Sequence, residues 1–361
     1  MTPSTPSPLA EIEADLAGRV AAAARDRTPL RLCGGGSQAA LCRSDSGAPL
    51  DLTVLQGIIA YEPSELVITV GAGTPLTVVA DALAARGQML PFEPRLAEGR
   101  ATVGGAVAAQ RGGPRRWTAG AVRDFLLGLV LIDGRGQRLR FGGQVIKNVA
   151  GFDVTRLQAG AWGSLGIITE VSIKVLPLPL LERTLQFELD QAQALHQINA
   201  WAGQPLPLSA SSWEHGCLRV RLSGVAAAVD LASRVMGGEA LDDRTAAAHW
   251  AGLRERCHPF FSAGGTLWRL ALRPTAAVLE LPGSVLWEWG GGQRWLRSDA
   301  PVEQVRRAAA AAGGHAELHA GGPAGTPVFH PLAAPLDGLH RRIKAVFDPA
   351  GILNPGTPDY L

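Results

Sequence analysis

Short apolar runs broken by glycine turns alternate with amphipathic stretches along the first half of the chain. Residues 8–26 place small apolar residues on one helical face, and Pro29 ends that helix. Residues 30–32 read as a short strand running into Cys33, Gly34, Gly35, Gly36, Ser37 and Gln38, with a second strand expected around 50–52. Tyr61-Glu62-Pro63-Ser64-Glu65 reads as a turn and 66–70 as a buried strand. Gly71-Ala72-Gly73-Thr74-Pro75 then opens a helix over 76–86, with Pro75 where a first helical turn tolerates it. Three further strand-like runs lie at 125–132, 137–141 and 167–175, the first two joined by the hairpin turn Asp133-Gly134-Arg135-Gly136. Two prolines in Leu176-Pro177-Leu178-Pro179-Leu180 stiffen that segment, exclude helix and mark a domain boundary.

Beyond that boundary the pattern changes. Strand-like runs at 183–189, 217–222, 266–273, 284–289 and 293–297 are separated by helical stretches at 191–201, 225–236 and 244–257. This predicts a small antiparallel sheet with helices on one face, so the fold class expected for the whole chain is α+β. A helix over 336–347 and a tight terminator over 348–356 follow. No internal repeat of fixed period is present.

At 361 residues the chain has room for two domains with separate cores. A net charge of +2 gives no electrostatic case for nucleic acid or an anionic membrane, and that also disposes of Arg115-Arg116-Trp117 as a nucleic-acid patch. Cys33, Cys42, Cys217 and Cys257 form no Cys-x-x-Cys pair and are expected to be reduced thiols. The N-terminus lacks a basic segment followed by an apolar run, so no signal peptide is expected, and no apolar stretch has the length of a membrane span.

Glycine is densest over 101–176, at Gly104, Gly105, Gly112, Gly113, Gly142, Gly143, Gly151, Gly163 and Gly166, each beside an apolar run. Repeated close-approach positions suit a backbone wrapped around something long and flat. Gly34, Gly35 and Gly36, after a strand, suit a pyrophosphate; a plain tight turn is the alternative. Two commoner phosphate signatures fail. No Gly-Lys-Ser/Thr occurs anywhere, and Gly71-Ala72-Gly73 lacks the third glycine of a dinucleotide fingerprint.

Taken together, Thr102-Val103-Gly104-Gly105-Ala106, the run from Gly112 to Asp124, and the run from Gly160 to Ile168 resemble the FAD-binding domain of the vanillyl-alcohol-oxidase-type (PCMH-type) flavoproteins. The resemblance narrows with 61–66, the segment Gly87 to Pro94, the segment Val145 to Asp153, and the end from Arg341 to Gly356. These are similar to the FAD-binding E subunits of bacterial glycolate oxidase (glycolate dehydrogenase), over nearly the whole chain.

The resemblance implies a PCMH-type FAD-binding domain over 1–177, with subdomains of about 1–60 and 61–177. A smaller antiparallel cap domain over 178–330 follows, and then a tail over 331–361 that packs back on the FAD domain. It implies that Gly34, Gly35, Gly36, Ser37 and Gln38 cradle the FAD pyrophosphate, that Thr102, Gly104 and Gly105 run beside the ribityl chain and flavin, and that Gly163, Ser164, Gly166 and Ile168 lie near the other end of the cofactor. Asn354 would return to the flavin edge, and Pro94, Gly112, Arg115, Gly120 and Asp124 complete the implied cofactor set. Related enzymes with covalent flavin place a histidine where Gly36 stands, so non-covalent FAD is expected. The catalytic D subunit of the same complex and related D-lactate dehydrogenases carry a His-x-Gly-Asp-Gly-Asn-x-His stretch that is missing here. The implied partners are therefore a catalytic flavoprotein subunit and an iron–sulfur subunit, in the cytoplasm, with any membrane attachment made through them.

Oxidation of a 2-hydroxy acid needs a base for the hydroxyl proton and a cation for the carboxylate. His330 is a base candidate and Arg269 and Arg294 are cation candidates; for each the alternative is a structural role. Trp268, Trp287, Trp289 and Trp295 are expected to fill the core of the second sheet, and glycines 290–292 would let a substrate or flavin edge approach. His315, Glu317 and His319 share one face of a strand at a spacing possible for zinc, but without a fourth ligand a solvated face is the expectation. Three functions remain open: a flavin subunit of a glycolate dehydrogenase complex, a self-sufficient dehydrogenase for a small hydroxy acid such as D-lactate, and an assembly subunit of the FAD fold that catalyses nothing.

Overall fold

A computed structural model of the chain describes residues 9–42, 46–143 and 153–359. The motif from Val145 to Asp153 lies outside the described residues apart from Asp153, whose carboxylate accepts the Arg156 N–H at 3.0 Å and caps the helix Val154–Gln158. The chain divides into two compact units. The first comprises Met1–Arg111, Ala121–Pro177 and Pro331–Leu361; the second comprises Gly112–Gly120 and Leu178–His330.

The first unit holds a five-stranded antiparallel sheet in the order Ile58–Glu62, Val67–Gly71, Ile167–Lys174, Leu126–Ile132, Arg138–Gly142. The three central strands are apolar almost throughout and buried on both faces, whereas Arg138–Gly142 alternates and sends its arginines outward from the edge. Asp133 closes the hairpin, its Oδ1 accepting the N–H groups of Arg135 and Gln137 at 2.9 Å each.

The helix Ala10–Asp26 packs Leu16, Val20 and Ala23 on Leu30, Leu50, Ile132, Ile167, Ile352 and Leu353. It also carries Glu13 into the interior, where that carboxylate accepts Arg138 Nε at 2.6 Å and the Thr169 hydroxyl. Glu170, equally buried, accepts Arg140 at 2.8 Å. Both carboxylates are paired, as burial requires. Leu30–Cys33 and Ala48–Asp51 form a separate parallel pair.

The second unit is an eight-stranded antiparallel sheet, in the order Glu239–Ala240, Leu181–Glu188, Cys217–Gly224, Leu208–Glu214, Ser284–Glu288, Gln293–Arg297, Leu267–Ala271, His315–Ala320. It is larger than the hydrophobic pattern predicts, chiefly through Leu208–Glu214. That strand buries Ser209, Ser211 and Ser212, whose hydroxyls are satisfied internally, so its inward face is not apolar. The helices Gln191–Ala202 and Ala226–Met236 pack on Leu218, Val220 and Leu222, and Val302–Ala311 packs Val305 and Ala309 on Trp268 and Leu318. Trp268, Trp287, Trp289 and Trp295 are all buried, as the sequence predicts.

Gly112–Gly120 belongs to this second unit although its neighbours on both sides belong to the first. Trp289 Nε1 donates to the Gly113 carbonyl at 3.0 Å, and the Arg116 guanidinium lies 4.3 Å over the Trp289 ring. A Cβ on Gly290 would stand 2.9 Å from the Trp117 ring, and Leu195 fills the space beside Gly291. The close approach offered by glycines 290–292 is thus taken by this chain's own side chains.

Candidate functional site

The strand Leu30–Cys33 is gripped on two sides. Ala48–Asp51 pairs with it in parallel, and the Leu52 N–H donates to the Cys33 carbonyl at 2.8 Å. The tail holds the other side: Leu30 N–H donates to Ile352 O at 2.7 Å, Asn354 N–H to Leu30 O at 2.9 Å, and Leu32 N–H to Asn354 Oδ1 at 2.7 Å. So fixed, the strand delivers residues 34–38 as a loop. The backbone N–H groups of residues 34–38 donate to no acceptor among the described residues, and the Gln38 Oε1 is buried without a partner. A Cβ on Gly35 would collide with the Arg100 carbonyl, and Gly36 has φ +72°, left-handed backbone that favours glycine. Successive free N–H groups on a rigid, side-chain-poor loop make a receptor for an anionic group such as a pyrophosphate.

Thr102 stands against this loop. Its hydroxyl accepts the Gly105 N–H at 3.2 Å and caps the helix Val103–Ala109, and a Cβ on either Gly34 or Gly105 would sit 3.1 Å from it. Val103 and Gly104 spend their N–H groups on Thr74 O and Ala72 O. This segment therefore offers a small-residue surface rather than further donors. On the other flank, Asn354 Nδ2 donates to Trp162 O at 2.7 Å and lies 2.8 Å from where a Gly163 Cβ would be. Ser164 turns its hydroxyl onto Ala161 O, and its own carbonyl accepts Lys344 Nζ at 2.8 Å. Lys344 also reaches Asp348 at 2.7 Å and Leu353 O at 2.8 Å, and burial lowers its pKa below the usual lysine value. Gly166 packs on Leu131 and Ile132, and Ile168 is buried opposite Leu131.

The structure thus gathers Gly34–Gln38, Thr102–Gly105, Gly163–Ser164 and Asn354 around one strand. Both polar ends of the Asn354 amide are occupied by backbone groups. Asp124 caps its own turn by accepting the Ala121 N–H at 2.8 Å. Pro94 is buried in a loop where Glu93, Ala97 and Glu98 have φ of +43°, +50° and +56°. Strain at three non-glycine positions beside the Arg100 platform marks that loop as functional in character, and nothing in its residue types announces it. Gly112, Arg115 and Gly120 lie in the second unit, where buried Arg115 pairs with Glu182.

The three residues considered for proton and carboxylate handling are also engaged. Arg294 donates Nε to Gly291 O at 3.1 Å, Nη1 to Ala277 O at 2.6 Å and Nη2 to Ala276 O, and burial lowers its pKa to about 10. Arg269 donates to Gln293 at 2.7 Å and to Glu317 at 3.4 Å. Gln293 and Trp295 in turn both donate to Glu288, whose complete burial raises its pKa. His330 Nδ1 accepts the Ala316 N–H at 3.4 Å, and burial lowers its pKa. The strand face with His315, Glu317 and His319 is not the solvated one expected: Glu317 is buried against Arg269, and His319 Nε2 meets Arg256 at 2.8 Å. No group of three metal-ligating side chains occurs among the described residues.

Residues 9–142 match the family described as FAD binding domain, and residues 297–357 match FAD linked oxidases, C-terminal domain. The chain is 46% identical to "Glycolate oxidase subunit GlcE" of Escherichia coli (strain K12), over 92% of this chain and 93% of that protein. The chain belongs to the GlcE family. This GlcE-family chain is also 33% identical to "Glycolate oxidase subunit GlcD" of Bacillus subtilis (strain 168), over 43% of itself and 32% of that protein. Among solved structures it is similar to an alkyldihydroxyacetonephosphate synthase, with a TM-score of 0.66 at 15% identity, covering 94% of this chain and 73% of that one; this shows the shared fold alone. The GlcE-family chain is thus an FAD-binding flavoprotein of the FAD-linked oxidoreductases. The loop over 34–38 fits that cofactor, since it presents unpaired donors where a side chain would collide with the supporting backbone.

Proposed function

We propose that this chain is the FAD-holding subunit of a glycolate (2-hydroxy acid) dehydrogenase complex. In this reading glycolate is oxidised to glyoxylate within the complex, and electrons leave the flavin for an iron–sulfur partner and a quinone-type acceptor. Bound FAD supplies the acceptor for the hydride that leaves the alcohol carbon. The N–H groups of residues 34–38 bind and neutralise its pyrophosphate, Thr102 holds that loop at its distance from Gly105, and Asn354 fixes the strand beneath it. The observation that carries the reading is the row of unpaired N–H groups, in a chain similar to GlcE along nearly its whole length.

The second unit supports dependence on partners. Arg294 and Arg269 are spent on carbonyls and carboxamide or carboxylate groups of this chain, and His330 is fixed by a backbone N–H. The chain's four cysteines stay free and are too few and too scattered to build an iron–sulfur centre alone. The test is anaerobic mixing of glycolate with the purified FAD-loaded chain, and then with the assembled complex. Flavin absorbance is expected to bleach only in the complex. Bleaching by the isolated chain at a turnover-competent rate would replace this reading with a self-sufficient dehydrogenase.

A further inference from the structure

The C-terminal helix Ala334–Phe347 buries none of its residues. Its apolar side chains Leu336, Leu339, Ile343 and Val346 nevertheless recur at spacings of three, four and three, which places them on one face. Leu336 is 50% exposed, Leu339 42% and Val346 63%. Beside Ile343 opens a cavity of about 240 Å³ lined by Leu157, Leu165 and Pro358, with Arg156 and His340 at its margin. The helix does not lack anchorage. Lys344 ties its last turn to Ser164, Asp348 and Leu353, so the stripe is held in place and still left open.

We propose that this stripe docks an amphipathic helix of the partner flavoprotein subunit, one whose own apolar stripe is flanked by Asp and Glu. The proposal rests on the complex reading above and names the surface that serves it. A three-four-three stripe is the seam that a second helix fills with knobs set into holes, and the cavity beside Ile343 takes a large apolar side chain. Charge selects the occupant. The helix carries Arg341, Arg342 and Lys344 against Asp337 alone. Asp337 is held by Arg341 at 3.0 Å, while exposed Arg342 has no ion-pair partner among the described residues. A second copy is disfavoured by symmetry: two-fold pairing about the middle of the stripe sets Arg341 and Arg342 against the same residues of the other copy.

The test is co-expression of the full chain with the GlcD-type subunit of its complex, followed by affinity capture of this chain. FAD bound per chain serves as the control for folding. Leu339→Glu with Val346→Glu is expected to lower the captured GlcD-type subunit by about tenfold or more, with FAD per chain unchanged. Arg342→Glu is expected to lower it by about threefold at low salt and less at high salt. Full capture by the double variant overturns the assignment of this face while leaving the complex standing. Failure of the wild-type chain to capture the subunit overturns the complex reading and this proposal with it. A dimer of the isolated chain in sedimentation that the double variant abolishes makes a second copy the occupant, and so overturns the proposal too.

Discussion

Gly35 and Gly36 are neighbours with different reasons to be glycine. At Gly35 a methyl group would enter the Arg100 carbonyl; at Gly36 there is open space but a left-handed φ. Gly35→Ala must therefore displace the loop, at a cost of about 1–3 kcal/mol, and FAD retained through gel filtration is expected to fall sharply. Gly36→Ala meets only the backbone penalty of about 1–2 kcal/mol and should keep most of its FAD. Glycine at close approach is what made this loop legible in the sequence. Glu93, Ala97 and Glu98 show the limit: their strain comes from the path between buried Pro94 and Arg100, and residue type does not encode it. A second prediction belongs at this scale. Burial lowers the His249 pKa from 6.5 to about 3, with Ser212 Oγ 2.8 Å from its Nε2. Between those values the unfolded chain binds a proton that the folded chain refuses. Stability is therefore complete above pH 6.5 and is lost as pH falls toward 3, by up to about 1.4 kcal/mol per pH unit. Urea midpoints measured from pH 7.5 down to 4.5 should fall, and His249→Gln should flatten the fall; equal slopes would exclude the imidazole as its source.

Among the elements, the turn that carries Gly163 and Ser164 depends on a lysine nearly two hundred positions later. Lys344 reaches Ser164 O, Leu353 O and Asp348, so Lys344→Met leaves the Asp348 carboxylate buried without its partner. The expected cost is about 3–5 kcal/mol, read as a lower thermal midpoint and weaker FAD retention, with added FAD recovering part of the loss. The apolar strands at 66–70, 125–132 and 167–175 were legible because both faces are buried and the run is continuous. Leu208–Glu214 was not, because its buried positions are serines. Ser211 accepts the Gly290 N–H at 2.8 Å and Ser209 donates to Arg221 O, so internal partners replace the apolar pattern. The segment Gly112–Gly120 looked like part of the glycine series around the flavin. Its membership of the second unit is set by Trp289, Arg116 and Glu182, long-range partners that no local spacing reveals. Trp289→Phe removes the bond to Gly113 O and should cost about 1 kcal/mol, with faster tryptic cleavage at Arg115 and Arg116 as the local readout.

For the whole molecule, the resemblance carried by scattered glycines agreed with the chain-long similarity to GlcE, and the flavin followed from both. With Gly36 in place of a linking side chain, acid precipitation is expected to leave all the FAD in the supernatant; flavin fluorescence fixed to the denatured band on a gel would contradict this. The described residues contain no helix long and apolar enough to cross a membrane. The two units alternate along the chain in five stretches, so neither can be cut out as one continuous piece. The pairing of Leu30 with Leu353 extends that interleaving to the foundation of the cofactor loop. On the ribosome, Leu32 must wait for Asn354, a separation of 322 residues, which takes about 16–64 s at roughly 5–20 residues per second. The nascent chain thus carries its nucleotide loop long before it owns the strand that steadies it. Flavin loading is a late event of biogenesis, and a chain stalled before Asn354 leaves the exit tunnel should hold no FAD.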